Sequence, residues 1–341
     1  MSLYPLKFTP RLLEKMWAGR KIETVLGKPL PPGKKIGESW ELYDFPPGTV
    51  DSSPNWISSV VAEGPLAGRT LHELVMQFGP ALYGEAELIQ PHGQFPILLK
   101  FLDAKEDLSI QVHPDAAYAA KHPDAFLKSE AWFIVQCDPG SRLFRGLQQG
   151  VTPQQFNDSI EQGHCERLLN SVPVKAGQCF YLPSGTVHAV GAGILAAEVQ
   201  TPSDTTYRVY DFNRVDPSTG KQRQLHVEQA LACMHFHQTP HHEPTQIARA
   251  DVKRLVECEY FNLDEVHLGT GNKRQLPYDE PIIWMVLNGE ALVHTSGLDA
   301  PVYLGRGDTV LFPAAMSPAT LEVLRDCHWL EISFPVTPTA A

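Results

Sequence analysis

The sequence predicts a mainly β protein built from two barrel-like units with a few short helices. Three observations carry that prediction. The 341 residues include 29 prolines and 25 glycines, a density that suits many short strands joined by tight turns. Apolar or alternating runs of strand length recur along the chain, among them PILLKF, AWFIVQ, PIIWMVLNGEALVH and CHWLEISF. The third observation is a weak internal repeat. Gly177, five residues, Pro183-Ser184-Gly185, two residues and His188 is matched by Gly307, five residues, Pro313-Ala314-Ala315, two residues and Pro318. Trp284-Met285-Val286-Leu287 likewise echoes Trp132-Phe133-Ile134-Val135.

The first copy of the repeat organises the chain. A strand enters a Pro-Gly turn, His188 follows, and further strands run from Ile194 to Val199 and over Thr206 to Tyr210. Side chains alternate across a sheet, so His188, Glu198 and Arg208 can face one cavity. Upstream, residues 1–69 read as irregular, broken by Pro29, Pro31, Pro32, Pro46 and Pro47, with a strand entry at Gly37 to Leu42. Thr70-Leu71-His72-Glu73 is a capping box ahead of the apolar face Leu71, Leu74, Val75 and Phe78. Pro96 to Phe101 is a buried strand carrying Lys100. Leu108 to His113 alternates, Asp115 can cap a short helix, and Ala131 to Gln136 is another buried strand. Thr152 and Pro153 open a helix with Phe156 and Ile160 on its apolar face. A last helix is expected near Val227 to Met234. The domains expected are residues 1–240, with an irregular start and the metal site, a polar linker over 241–254, and a second barrel over 255–341 without metal ligands.

Composition narrows the class. A formal net charge of −11 disfavours nucleic acid and anionic membrane surfaces as partners. An anionic small substrate then needs a metal or local Lys and Arg to hold it. The six cysteines are scattered without a CxxC pair, which does not read as a disulfide framework. No signal pattern and no apolar run of membrane-spanning length is present, so a cytoplasmic protein with reduced thiols is expected.

The chemistry centres on four residues. Gln111 and His113 share a strand face at i and i+2, Glu130 stands at the mouth of the next apolar strand, and His188 follows the Pro-Gly turn. Two imidazoles, a carboxylate and an amide oxygen suit Zn²⁺, with Mn²⁺, Co²⁺, Fe²⁺ or Ni²⁺ as alternatives. Either histidine alone reads more readily as a satisfied core residue than as a ligand. The G-x5-P-x-G-x2-H spacing is that of cupin barrels, double-stranded β-helices of the jelly-roll type, and favours ligands. Other features read as bland: His235, His237, His241 and His242 as linker, His122 and Asp124 as loop, Trp17 as core packing or as a wall of the site.

A longer string goes further. LLKFLDAKEDLSIQVHPD, KSEAW, YLPSGTVHAVGAG and AEVQTPSDTTYRVYDFNR, together with MWAG and IGESWEL, resemble in order and spacing the motifs of type I mannose-6-phosphate isomerases. The resemblance runs through most of residues 8–214 and is to the short bacterial form. It implies two cupin-type jelly rolls, one Zn²⁺ per chain on Gln111, His113, Glu130 and His188, and a sugar phosphate as the partner molecule. Arg208 matches the family's active-site arginine, with Glu198 ten residues before it; Lys100 and Lys128 match lysines at the site, and Ser109 lies in the matching LSIQ segment.

The implied reaction interconverts mannose 6-phosphate and fructose 6-phosphate through an enediolate. It needs a cation near the reacting oxygens, a base near the reacting carbons, an acid to open the ring and a phosphate anchor. The metal and Arg208 suit the oxyanion. Lys100, Lys128 and Arg214 suit phosphate or proton transfer. Glu198, His113 and a metal-bound water stand as alternatives for the base, and Glu198 would need its pKa raised by burial. A metal cupin oxygenase and a sugar-binding cupin without turnover are the competing readings; Gln111 stands where an oxygenase would place another His. Oligomeric state is not readable from the chain.

Overall fold

The computed structural model describes residues 2–50, 53–86, 93–216, 219–237, 249–276 and 279–335. The fold is mainly β, with short helices. Two sheets face each other in the N-terminal part. One has the strand order Cys179–Leu182, Glu130–Cys137, Ile194–Gln200, Leu98–Ala104, Ile36–Leu42, Arg11–Glu14. The facing sheet runs Leu169–Pro173, Arg142–Leu147, His188–Val190, Ile110–Val112, Tyr207–Tyr210. Leu102, Trp132, Ile134 and Ala196 from the first pack with Leu143 and Val190 from the second, which closes one end of the sandwich with an apolar plug.

Helices Pro153–Glu161 and Val227–Cys233 cover the outer face of the second sheet through Phe156, Ile160, Ala230 and Cys233. The outer face of the first sheet, with Leu99, Phe101, Phe133 and Val199, packs on Ile283, Met285, Leu330 and Ile332 of a C-terminal sheet. That third sheet bends around its own core, where Trp284 and Trp329 lie 4.4 Å apart. Burial of aromatic surface on this scale is the main stabilising contribution of each layer.

Local signals hold. Thr70 and Thr152 form full capping boxes, Pro153 sits in the first turn, and the Asp115 carboxylate accepts from the Tyr118 N–H. Residues 1–69 are not irregular, however. Their described residues carry six strands, among them Leu6–Thr9, Ile36–Leu42 and Val60–Val61. The prolines read as breakers fall between these strands rather than in them. Leu6–Thr9 pairs with Thr309–Phe312 on one side and Val60–Val61 on the other, so the N-terminal segment completes the C-terminal sheet. Strand Val252–Glu257 begins inside the span expected as linker, and His241 and His242 lie outside the described residues.

Candidate active site

Strand register assembles the site as two facing rows. In the first sheet Trp40 pairs with Lys100, Lys100 with Glu198, and Glu198 with Trp132. Directly opposed residues point to the same face, so two aromatics bracket a buried ion pair. In the second sheet His188 pairs with Gln111 and Gln111 with Arg208. Ser109 and His113 flank Gln111 at i−2 and i+2 and share its face. Between the rows lies a cavity of about 280 Å³ whose walls include Lys100, Ser109, Gln111, Lys128, Glu198 and Arg208.

His113, Glu130 and His188 form a buried cluster behind Lys128. His113 Nε2 is 3.5 Å and His188 Nε2 3.1 Å from the two Glu130 oxygens. The His188 Nδ1–H donates to the Thr186 carbonyl at 2.8 Å, and that of His113 to Thr205 at 2.9 Å. This tautomer turns both Nε2 lone pairs toward Glu130. Neither Glu130 oxygen nor His188 Nε2 makes a hydrogen bond. The Lys128 ammonium donates to His113 Nε2 at 3.1 Å and forms an ion pair with Glu130 at 2.9 Å. Lys128 thus serves His113 Nε2 and one Glu130 oxygen, while His188 Nε2 and the Glu130 Oε1 that faces it have no donor; buried acceptors left in that state are costly unless a cation sits among them. Ligand atoms about 2.0–2.2 Å from a tetrahedral ion stand roughly 3.3–3.6 Å from one another, and the 3.5 and 3.1 Å separations here are close to that. The residues therefore fit a metal. Burial, then the Lys128 ammonium, hold His113 well below the usual imidazole range. Burial pushes Glu130 the other way, but Lys128 and the two imidazoles outweigh it and its pKa falls well below the usual carboxylate range.

The Lys100 ammonium is 3.2 Å from Glu198 and 3.9 Å from Glu38, and stands 5.1 Å over the Trp40 ring. Burial alone would lower its pKa; Glu198 and Glu38 reverse that and raise it. The partner that a lysine in an apolar run required is thus Glu198. Burial raises the Glu198 pKa against the opposing charge of Lys100, and the Trp132 indole donates to Oε1 at 2.8 Å. Arg208 bonds Ser109 Oγ at 3.1 Å and the Gln224 carbonyl at 3.0 Å, both neutral. Burial and then Arg223 push its pKa down to about 10, so it stays a cation at neutral pH.

All nine residues anticipated from sequence meet in this cavity or in the cluster behind it. Arg214 does not line it; its guanidinium is bound to Asp211 and the Asp107 carbonyl. Arg223 lines the cavity instead and also pairs with Asp211. Trp17 is both buried and a cavity wall. Sequence reasoning missed Lys15, Glu38, Asp204 and His226, which line the same space. Glu38 and Asp204 lie inside IGESWEL and TPSDTTYR, so the signal was present but unassigned. Against burial, Lys15 and Lys100 pull Glu38 down to about 2; Asp204 is raised by burial despite Lys100.

The profile for the catalytic domain of phosphomannose isomerase type I matches residues 8–131. The mannose-6-phosphate isomerase ManA of Bacillus subtilis (strain 168) is 35% identical over 335 residues, which is 96% of this chain and 98% of that protein. A mannose-6-phosphate isomerase of Streptococcus mutans is 33% identical over 313 residues, 91% of this chain and 92% of its own length. The crystal structure of the mannose 6-phosphate isomerase from Bacillus subtilis superposes with a TM-score of 0.83 at 31% identity, covering 98% of this chain and all of that one.

Proposed function

The chain belongs to the type I mannose-6-phosphate isomerase family, and from that premise we propose that it interconverts mannose 6-phosphate and fructose 6-phosphate through an enediolate, with one zinc ion held by Gln111, His113, Glu130 and His188. The carrying observation is the buried His113–Glu130–His188 cluster, whose His188 Nε2 and facing Glu130 oxygen lack a donor, behind a cavity that also holds the buried Lys100–Glu198 pair and Arg208. An ion bound there supplies Lewis-acid polarisation of the sugar oxygens.

The chain's own residues account for the other needs. Glu198 serves as the base: burial raises its pKa toward the range where a carboxylate accepts a proton from carbon efficiently, and Trp132 fixes its orientation. His113 is less suited, because both ring nitrogens are engaged. Lys100 stays charged, offsets Glu198 in the resting state and offers a proton donor to the sugar oxygens. The Arg208 guanidinium bonds the neutral oxygens of Ser109 and Gln224, so its charge is available to a phosphate or an oxyanion. Ser109 holds that guanidinium in place. Lys128 adds a second cation next to the ligands.

The same proposal covers architecture. The facing N-terminal sheets and the self-wrapped C-terminal sheet are consistent with two cupin-type jelly rolls over 1–240 and 255–341, joined through 241–254. The amendment is that Leu6–Thr9 and Val60–Val61 pair into the second.

Single turnover in heavy water tests the chemistry. Proton transfer through Glu198 puts some solvent deuterium at C1 of the fructose 6-phosphate formed; a hydride shift carries the original hydrogen across and leaves none. Active enzyme that yields unlabelled product overturns the enediolate. Activity that survives chelation with no metal left in the protein overturns the zinc site, and oxygen consumption without isomerisation would restore the oxygenase reading.

A further inference from the structure

We propose that Glu265, His267 and His328 form a second site, for a divalent first-row transition-metal ion, on the C-terminal sheet where it meets the N-terminal sandwich. Glu265 and His267 are i and i+2 on strand Asn262–Leu268, and His267 pairs directly with His328 on strand Ala319–Ser333. All three side chains therefore leave one face of the sheet. Their ligand atoms lie within 4.8 Å of one another. His328 Nε2 is 3.0 Å and His267 Nε2 3.3 Å from the same Glu265 oxygen. These separations are close to the edge of a tetrahedron whose ligands stand about 2.0–2.2 Å from its centre. The Nε2 atom of His328 is buried and makes no aligned hydrogen bond.

Chemistry narrows the ion. Two imidazoles and one carboxylate favour zinc, nickel, copper or cobalt over magnesium or calcium, which prefer all-oxygen shells. Side-chain exposure rises from 12% at Glu265 through 24% at His328 to 61% at His267, so the group is open to solvent on one side only. Water can complete the shell there. The imidazole rings of His267 and His328 stack 4.1 Å apart at 15°, which holds the two side chains together on that face. Lys253, opposite Glu265 on the next strand, is the nearest competing positive charge in register. His328 also meets the Phe133 ring edge-on at 5.9 Å, and Phe133 belongs to the strand that begins with Glu130. An ion here would tie two strands of the third sheet together against the outer face of the first. Its role is structural, and it raises the expected one ion per chain to two.

The test measures zinc bound after dialysis against micromolar Zn²⁺ at neutral pH, in wild type and in variants of each site. Wild type should carry two ions. His267→Gln, at an exposed position, should carry one and isomerise mannose 6-phosphate at the wild-type rate; Glu265→Gln should match it. His113→Ala should also carry one, and His113→Ala/His267→Gln none. Zinc should raise the Tm of His113→Ala and leave that of the double variant unmoved. A wild type with one ion that disappears in His113→Ala overturns this second site and leaves the first intact. An ion that disappears only in His267→Gln overturns the first and supports the second.

Discussion

Replacing Glu198 by Gln separates chemistry from stability at the heart of the site. The carboxylate is 3.2 Å from the Lys100 ammonium, and the two residues are 3% and 4% exposed. At an effective dielectric constant of about 20, charges at that distance attract by about 5 kcal/mol, an upper bound on what is lost. Breaking a buried pair by removing one partner costs about 3–5 kcal/mol. Glu38 at 3.9 Å remains as a second partner for Lys100, and the Gln amide oxygen can still accept from Trp132, so the loss belongs near 3 kcal/mol on that scale. If Glu198 is the base, turnover falls by about 10²–10⁴ as well. Adding Lys100→Met removes the stranded ammonium and should return most of the stability measured by urea denaturation, but none of the rate.

The pH profile gives an independent check on the same residue. Burial raises the Glu198 pKa above its ordinary 4.5, and the base must be deprotonated to act. Wild-type kcat/KM should therefore fall as pH drops through a value above 4.5, and in Glu198→Gln that limb should vanish from the residual activity. Turnover within a few-fold of wild type in Glu198→Gln, or a double variant that recovers rate together with stability, would refute the assignment.

Three further outcomes are expected. His113→Ala and His188→Ala should each lose zinc from the N-terminal site and lose activity while keeping a cooperative fold, read by elemental analysis and circular dichroism. Arg208→Lys keeps the charge but cannot reproduce the bonds to both Ser109 and the Gln224 carbonyl; turnover should fall well beyond a few-fold, whereas Arg325→Lys, at a side chain 75% exposed and paired with Glu290, should be neutral in the same assay. Glu38, held at about 2 against burial by Lys15 and Lys100, contributes stability that is fully present above the ordinary carboxylate range and is lost as pH falls toward 2. Unfolding free energy measured between pH 5 and 2.5 should thus decline less steeply in Glu38→Gln than in wild type, since the variant has no proton to take up there.

What could be read from the chain divides by locality. The capping boxes at Thr70 and Thr152 involve neighbours three residues apart, and both are where the pattern put them. Gln111 and His113 are likewise two residues apart, and their shared face follows from the pleat alone. Residues 1–69 failed because their strands are two to seven residues long and find partners as distant as Thr309–Phe312; no periodic signal survives at that length. Glu265 and His267 had the same i, i+2 spacing as Gln111 and His113 but attracted no attention, since the third ligand, His328, joins them only through strand register. Lys100 sits on the dividing line. A lysine among five apolar neighbours shows that a counter-charge must exist, because an unpaired buried ammonium is too costly to retain. Which carboxylate supplies it depends on the pairing of Leu98–Ala104 with Ile194–Gln200 and with Ile36–Leu42, and that pairing delivers two, Glu198 directly opposite and Glu38 at longer range. A burial argument can thus require a partner, but only register can choose between a carboxylate that stays charged near pKa 2 and one that burial raises toward the working range of a base.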